Sequence, residues 1–203
     1  MPTILPIIMN ILYYLVYFSI IIWAFVPLRQ FRGKYFFYFL PWASADILTL
    51  AARLIFHSGT NFFYAPCSFL ALIALQDTKF IKKYWWVITI IFLAVCLISL
   101  NNNITGIPDI QMLGISLSII HFFILMIFFK ELIILFVQDN LINAFLIALV
   151  FYEITIIAKF LNYLTGFTND YIYYIITTVF EILFALFFII FKSDDKRLIF
   201  RLK

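Results

Sequence analysis

Long apolar runs are the feature that most constrains how this chain can fold. A helix needs about 20 mostly apolar residues to cross a bilayer core. Seven segments approach or exceed that length, joined by short connectors: 4–28, 36–57, 62–78, 85–101, 110–130, 140–164 and 170–191. The 203 residues are 66% hydrophobic and 12% charged, whereas soluble domains are roughly 45–50% apolar and 25% charged. We therefore predict an all-α bundle of seven transmembrane helices.

The basic residues predict how the bundle is oriented. Twelve of the 14 Lys and Arg residues fall in alternate connectors or in the tail: Arg29, Arg32, Lys34, Lys79, Lys82, Lys83, Lys130, Lys192, Lys196, Arg197, Arg201 and Lys203. Because cytoplasmic loops are enriched in Lys and Arg, the N-terminus is predicted outside and the C-terminus inside. This one-sided pattern indicates contact with lipid head groups rather than nucleic acid. Residues 193–203 are predicted to form a basic cytoplasmic tail.

Within the transmembrane region, 1–192, the first three apolar runs resemble the last three. An offset of 107 residues aligns the first three apolar runs with the last three and places Asp46 on Glu153 and Gly59 on Gly166. We predict two three-helix units, 1–84 and 109–192, joined by a connecting helix and outer loop over 85–108. The connecting helix restores the orientation, so the repeat is parallel.

This 3+1+3 plan resembles the SWEET and PQ-loop transporters, the KDEL receptors and the microbial rhodopsins. The resemblance covers the whole chain and is topological. The Pro-Gln dipeptide of the PQ-loop families is missing, and residues 170–191 hold no lysine that could bind retinal. The chain also resembles small bacterial seven-span proteins. That resemblance rests on the basic patch after the first run, the acid in the second run and "NFFY" at 61–64. That resemblance implies the bacterial inner membrane.

Away from the ends of the predicted helices, six charged or titratable residues are the candidate site residues: Asp46, Arg53, His121, Glu153, Lys159 and Glu181. Such residues cost about 2.5–3.5 kcal/mol each on insertion scales and normally face the bundle interior. The acids and His121 are expected near the bilayer centre, with Arg53 and Lys159 nearer the outer end. Two interpretations follow. The charges form pairs that hold helices together, or they line a solute site between the two halves.

The leading functional hypothesis is a carrier for a small polar solute, proton-coupled through Asp46, Glu153 or Glu181. The alternative is a ligand-sensing module, or a membrane subunit that binds a protein partner through its cytoplasmic loops and tail. An enzyme is not expected, because Ser44 and Ser68 have no base at a fixed spacing and no Gly-rich phosphate loop occurs. With two histidines and no Cys/His/Asp set, neither a metal nor a cofactor is expected.

Overall fold

The computed structural model describes residues 4–56, 62–100, 109–165 and 171–201. Seven α-helices lie in these ranges: α1 Ile4–Arg29, α2 Phe36–Phe56, α3 Tyr64–Ala74, α4 Thr78–Leu100, α5 Asp109–Asp139, α6 Ala144–Thr165 and α7 Tyr171–Ile190. Two short strands, β1 Leu141–Asn143 and β2 Ile199–Arg201, form a small antiparallel sheet. The predicted helical class and the seven helices are confirmed.

Five of the helices are long and apolar enough to cross a membrane: α1, α4, α5, α6 and α7. The predicted full span over 62–78 is wrong, because α3 has only 11 residues, about 16 Å of helix against a bilayer core of about 30 Å. Gln76 and Asp77 leave the helix after Leu75, whose N–H closes the last turn. Six of the 11 residues of α3 are buried against its neighbours.

Two other predicted boundaries are wrong. Helix α4 begins at Thr78 rather than 85 and kinks at Tyr84, where φ is −115°. Helix α5 continues to Asp139 rather than ending at 130, so Lys130 lies within a helix and not in a loop. No glycine or proline interrupts that extension. The helix ends at Asp139, and the next residue, Asn140, adopts a positive φ of 52°.

Six helices form a closed ring. Helix α1 packs on α2 and α7, α2 on α3, α3 on α5, α5 on α6, and α6 on α7. Helix α4 lies outside the ring, with its main packing against α3. The interior of the ring is therefore screened from the surroundings by helices on every side.

Aromatic residues fill much of the ring. The Trp23 and Tyr152 rings lie 4.8 Å apart, and Phe188 lies 5.0 Å from Phe39 and 5.2 Å from Phe145. Such pairs contribute about 0.5–1.5 kcal/mol each beyond the burial of their area. They join α1, α2, α6 and α7 into one packed core.

The ends of α1, α5 and α7 meet the start of α2 at one end of the bundle, which we call the basic end. Gln30 is fully buried there. Its amide donates to the carbonyls of Phe188 at 2.6 Å and Phe191 at 2.7 Å and accepts from the Ser193 N–H at 3.2 Å. These bonds satisfy carbonyls that the end of α7 would otherwise leave unpaired. The chain then reaches β2, which pairs with β1. Residues 193–201 of the predicted tail therefore lie against the α5–α6 junction.

Candidate functional site

Glu153 is the centre of a hydrogen-bonded network inside the ring. Helix α6 places its carboxylate at 0% exposure. One carboxylate oxygen accepts a hydrogen bond from the Tyr38 hydroxyl. The other lies 2.7 Å from His121 Nδ1. Both carboxylate oxygens therefore have a side-chain partner inside the ring.

His121 extends the network to α3. Its Nε2 lies 3.2 Å from Ser68 Oγ, and both side chains are buried. A neutral imidazole has one N–H donor and one acceptor nitrogen. With the proton on Nδ1, His121 donates to Glu153 and accepts from Ser68, so each member is satisfied. Tyr38, Glu153, His121 and Ser68 thus connect α2, α6, α5 and α3.

A second acid–base pair joins α6 to α7. Lys159 Nζ donates to both carboxylate oxygens of Glu181, each at 2.8 Å. The two side chains are 20% and 9% exposed. The stability of a pair this buried depends on the direct contact between its two charges, because little solvent is available to replace either partner.

Asp46 adjoins the second pair. It accepts a hydrogen bond of 2.7 Å from the Tyr64 hydroxyl, and it lies within electrostatic range of Glu181 and Lys159. Two carboxylates and one ammonium group therefore lie in the same region of the ring, which leaves one negative charge in excess when all three are ionised. A proton or a cationic group would balance that charge.

Two buried hydroxyls lie one helical turn from these acids. Thr49 follows Asp46 by three residues on α2, and Thr178 precedes Glu181 by three residues on α7. Both hydroxyl oxygens are fully buried and have no hydrogen-bond partner within the described ranges. Buried polar atoms are normally paired, so these two oxygens are exceptions within the described part of the bundle.

The structure places the predicted residues in three separate contacts: Glu153 with His121, Lys159 with Glu181, and Asp46 with Tyr64. The Arg53 side chain lies outside the described residues. The equivalent glycines of the repeat, Gly59 and Gly166, lie outside them too.

Sequence reasoning did not assign Tyr38, Tyr64 or Ser68 to the site. His121 lies within hydrogen-bond distance of Ser68, although no fixed spacing in the sequence links the two residues. Tyr64 and Ser68 are four residues apart and so share one helix face. That spacing indicates a polar face on α3, although it does not reveal what the face contacts.

The donor sets in the described chain do not suit a metal ion. No group of three His, Cys, Asp or Glu side chains converges within the ranges that the structure describes. Cys67 and Cys96 are both free thiols. The site is therefore a set of hydrogen-bonded acids and bases.

The fold and this site define a class: a helical bundle compatible with a multi-pass membrane protein, with acid–base pairs inside a ring of six helices. No protein-family model matches the sequence, and comparisons with curated proteins and with solved structures give no significant match.

Proposed function

We propose that this protein is a carrier for a small polar solute, coupled to protons through the Glu153–His121 pair. The observation that carries the proposal is the presence of two buried acid–base pairs within the closed ring. Ionisable residues at membrane depth are expensive and characteristically line transport pathways or proton relays. Purely structural pairing would be less costly with apolar residues of similar volume.

The arrangement of the ring supports the predicted duplication. With an offset of 107 residues, α1, α2 and α3 correspond to α5, α6 and α7, and the start of α3 at Tyr64 falls on the start of α7 at Tyr171. Each contact in one half of the ring then has a counterpart in the other half. The α1–α2 contact corresponds to α5–α6, α2–α3 corresponds to α6–α7, and α3–α5 corresponds to α7–α1. Secondary transporters place their sites at such repeat interfaces.

The second pair suits a zwitterionic solute. A guest carboxylate would bind the Lys159 ammonium, and a guest ammonium would bind Glu181 or Asp46. The unpaired hydroxyls of Thr49 and Thr178 supply further polar contacts. When the pair opens, each charge of the guest would take the place of the partner that Lys159 or Glu181 loses. Neither side chain would then be left unpaired, which lowers the free-energy cost of opening the pair.

The first network suits a proton. Glu153 and His121 share a hydrogen bond of 2.7 Å, and Tyr38 and Ser68 extend the chain on either side. Protonation of His121 creates an imidazolium that donates to both Glu153 and Ser68. The pair can therefore hold or release a proton while the Glu153–His121 hydrogen bond is kept and the Ser68 hydroxyl turns from donor to acceptor.

The test is uptake by proteoliposomes that contain a pH-sensitive dye. The probe is a mixture of radiolabelled amino acids, offered with and without an inward proton gradient. We expect gradient-dependent uptake with the wild-type chain, solute exchange without net proton movement in Glu153→Gln, and loss of both in Glu181→Gln. Glu131→Gln is the control, because Glu131 pairs with Lys34 away from the interior. Wild-type uptake no greater than that of empty liposomes would overturn the proposal.

One observation favours a second candidate, an intramembrane acyl-transfer enzyme. Ser68, His121 and Glu153 follow the order of nucleophile, base and acid in a catalytic triad. Ser68 is however fully buried, so a substrate could reach it only if α3 and α5 separated. A fluorophosphonate probe tests this candidate directly. Labelling that is lost in Ser68→Ala and kept in Ser118→Ala would support an enzyme; we expect no labelling.

A further inference from the structure

Helix α4 is separated from α5 by a large groove. The groove has a volume of about 970 Å³ and is lined by α3, α4 and α5. That volume lies at the upper end of the range of about 300–1,000 Å³ typical of small-molecule sites. None of the apolar stretch of α4 is buried. The groove is therefore an opening on the outer surface of the bundle, distinct from the polar site inside the ring.

The lining is apolar along almost its whole length. Thirteen of its 17 residues are aliphatic, phenylalanine or methionine, such as Leu72, Ile91 and Phe123. Along α5 the groove runs from Ser116 to Lys130, which is about 21 Å of helix at 1.5 Å per residue. One leaflet of a bilayer core is about 15 Å deep. An extended acyl chain therefore fits the groove along its length.

Polar groups cluster at the basic end of the groove. Gln76, Tyr84 and Lys130 line it there, whereas Ser116 is the polar residue at the opposite end. No salt bridge within the described ranges involves Lys130. The neighbouring acid, Glu131, pairs with Lys34 instead. The exposed residues Lys79, Lys82 and Lys83 lie in the first two turns of α4. Of these four lysines only Lys130 lines the groove, and Asp77 precedes α4 at the same end, so the mouth of the groove carries a net positive charge.

We infer that this groove is a binding site for an anionic phospholipid, with an acyl chain between α4 and α5 and the phosphate at Lys130. The apolar lining matches the chain, and the positive mouth matches the negatively charged head group. Lys and Arg near a membrane surface contribute about 1 kcal/mol each to binding anionic lipid. The inference does not depend on transport.

Native mass spectrometry of the full-length protein in mild detergent tests the inference. The probes are dioleoyl phosphatidylglycerol and dioleoyl phosphatidylcholine, which share acyl chains and differ in head-group charge. We expect one retained phosphatidylglycerol per chain and a preference over phosphatidylcholine of at least about fivefold, the equivalent of 1 kcal/mol. Lys130→Gln should lower that preference about fivefold, whereas Lys192→Gln, outside the groove, should not.

A second variant tests the chain-binding part of the groove. Ile119 lines the groove and is 53% exposed, and Phe122 on the same helix is 52% exposed and lies outside the lining. Ile119→Trp should abolish retention of phosphatidylglycerol, and Phe122→Trp should leave it unchanged. Equal retention of the two lipids, or wild-type retention by Lys130→Gln, would overturn the inference. So would a second copy or another protein bound in place of lipid and lost in Ile119→Trp.

Discussion

Glu153 gives the sharpest test of the buried network. In Glu153→Ala, the Tyr38 hydroxyl and His121 Nδ1 lose their partner inside a site that is fully buried. A buried polar group left without a partner costs about 1–3 kcal/mol, so we expect a loss of about 2–6 kcal/mol. For a chain of this length, 1 kcal/mol shifts the melting temperature by about 2–4 °C. The expected decrease is therefore roughly 4–24 °C.

Glu153→Gln separates hydrogen bonding from charge. Its carbonyl can accept from Tyr38, and its NH₂ group can donate to His121 Nδ1 if the imidazole proton moves to Nε2. Nε2 then donates to Ser68, so every member of the network keeps a partner. We expect a loss below about 1.5 kcal/mol, although proton coupling should be absent. The stability of Glu153→Gln should thus lie close to that of the wild type.

The assay is thermal unfolding in one detergent at one pH, with Glu131→Ala as the matched control. Glu131 and Lys34 are 25% and 62% exposed, and pairs of this kind contribute about 0–1 kcal/mol. If Glu153→Ala melts within about 2 °C of the wild type, Glu153 does not hold the network. If the Gln variant loses as much stability as the Ala variant, charge rather than hydrogen bonding stabilises the site.

Three further predictions concern other contacts. Lys159→Met should cost about 3–5 kcal/mol, because it leaves the Glu181 carboxylate unpaired. The double variant Lys159→Met, Glu181→Leu should regain most of the lost free energy of unfolding, as measured in a double-mutant cycle. If the losses of the two single variants simply add, the pair is not coupled. Gln30→Ala should cost about 1–3 kcal/mol, because it removes the donors to two carbonyls. The loss should appear as faster amide exchange in the last turn of α7. Unchanged exchange would contradict a stabilising role for the Gln30 hydrogen bonds. In the tail, hydrogen bonds from Arg197 hold the pKa of Asp195 below its ordinary value. The turn should therefore be most ordered above the ordinary aspartate pKa of about 3.9 and lose order as the pH falls through the lower folded value. Amide exchange of residues 195–201 measures this, and Asp195→Asn should abolish the pH dependence.

The positions of the helices could largely be predicted, because each helix comes from a long apolar run that the local sequence contains. The failures have two sources. Helix α5 is longer than predicted although nothing in 131–139 interrupts a helix, so that error lay in reading the local sequence. Helix α3 has only 11 residues, and six of them are buried against neighbours that its own sequence does not specify. The β1–β2 pairing joins residues about 60 positions apart, which no local pattern reveals.

The charged residues of the candidate site could be predicted from the sequence, but the contacts between them could not. A charged residue in an apolar run must find a partner, so Asp46, Glu153, Lys159 and Glu181 are visible from sequence. Their partners depend on how six helices are rotated and ordered around the ring. Tyr38 and Ser68 could not be chosen, because tyrosine and serine are common in apolar helices without such a role.

The sequence by itself determined the helical class, the long apolar helices and the set of buried charges, since all three follow from local composition and the cost of exposing polar groups to lipid. Only the tertiary structure decided that the helices close into a ring, that His121 lies between Glu153 and Ser68, and that α4 lies outside beside a groove. The physical reason is that interhelical distances of a few ångströms depend on side-chain packing over the whole bundle, whereas the apolar pattern of one helix specifies only that it must be covered.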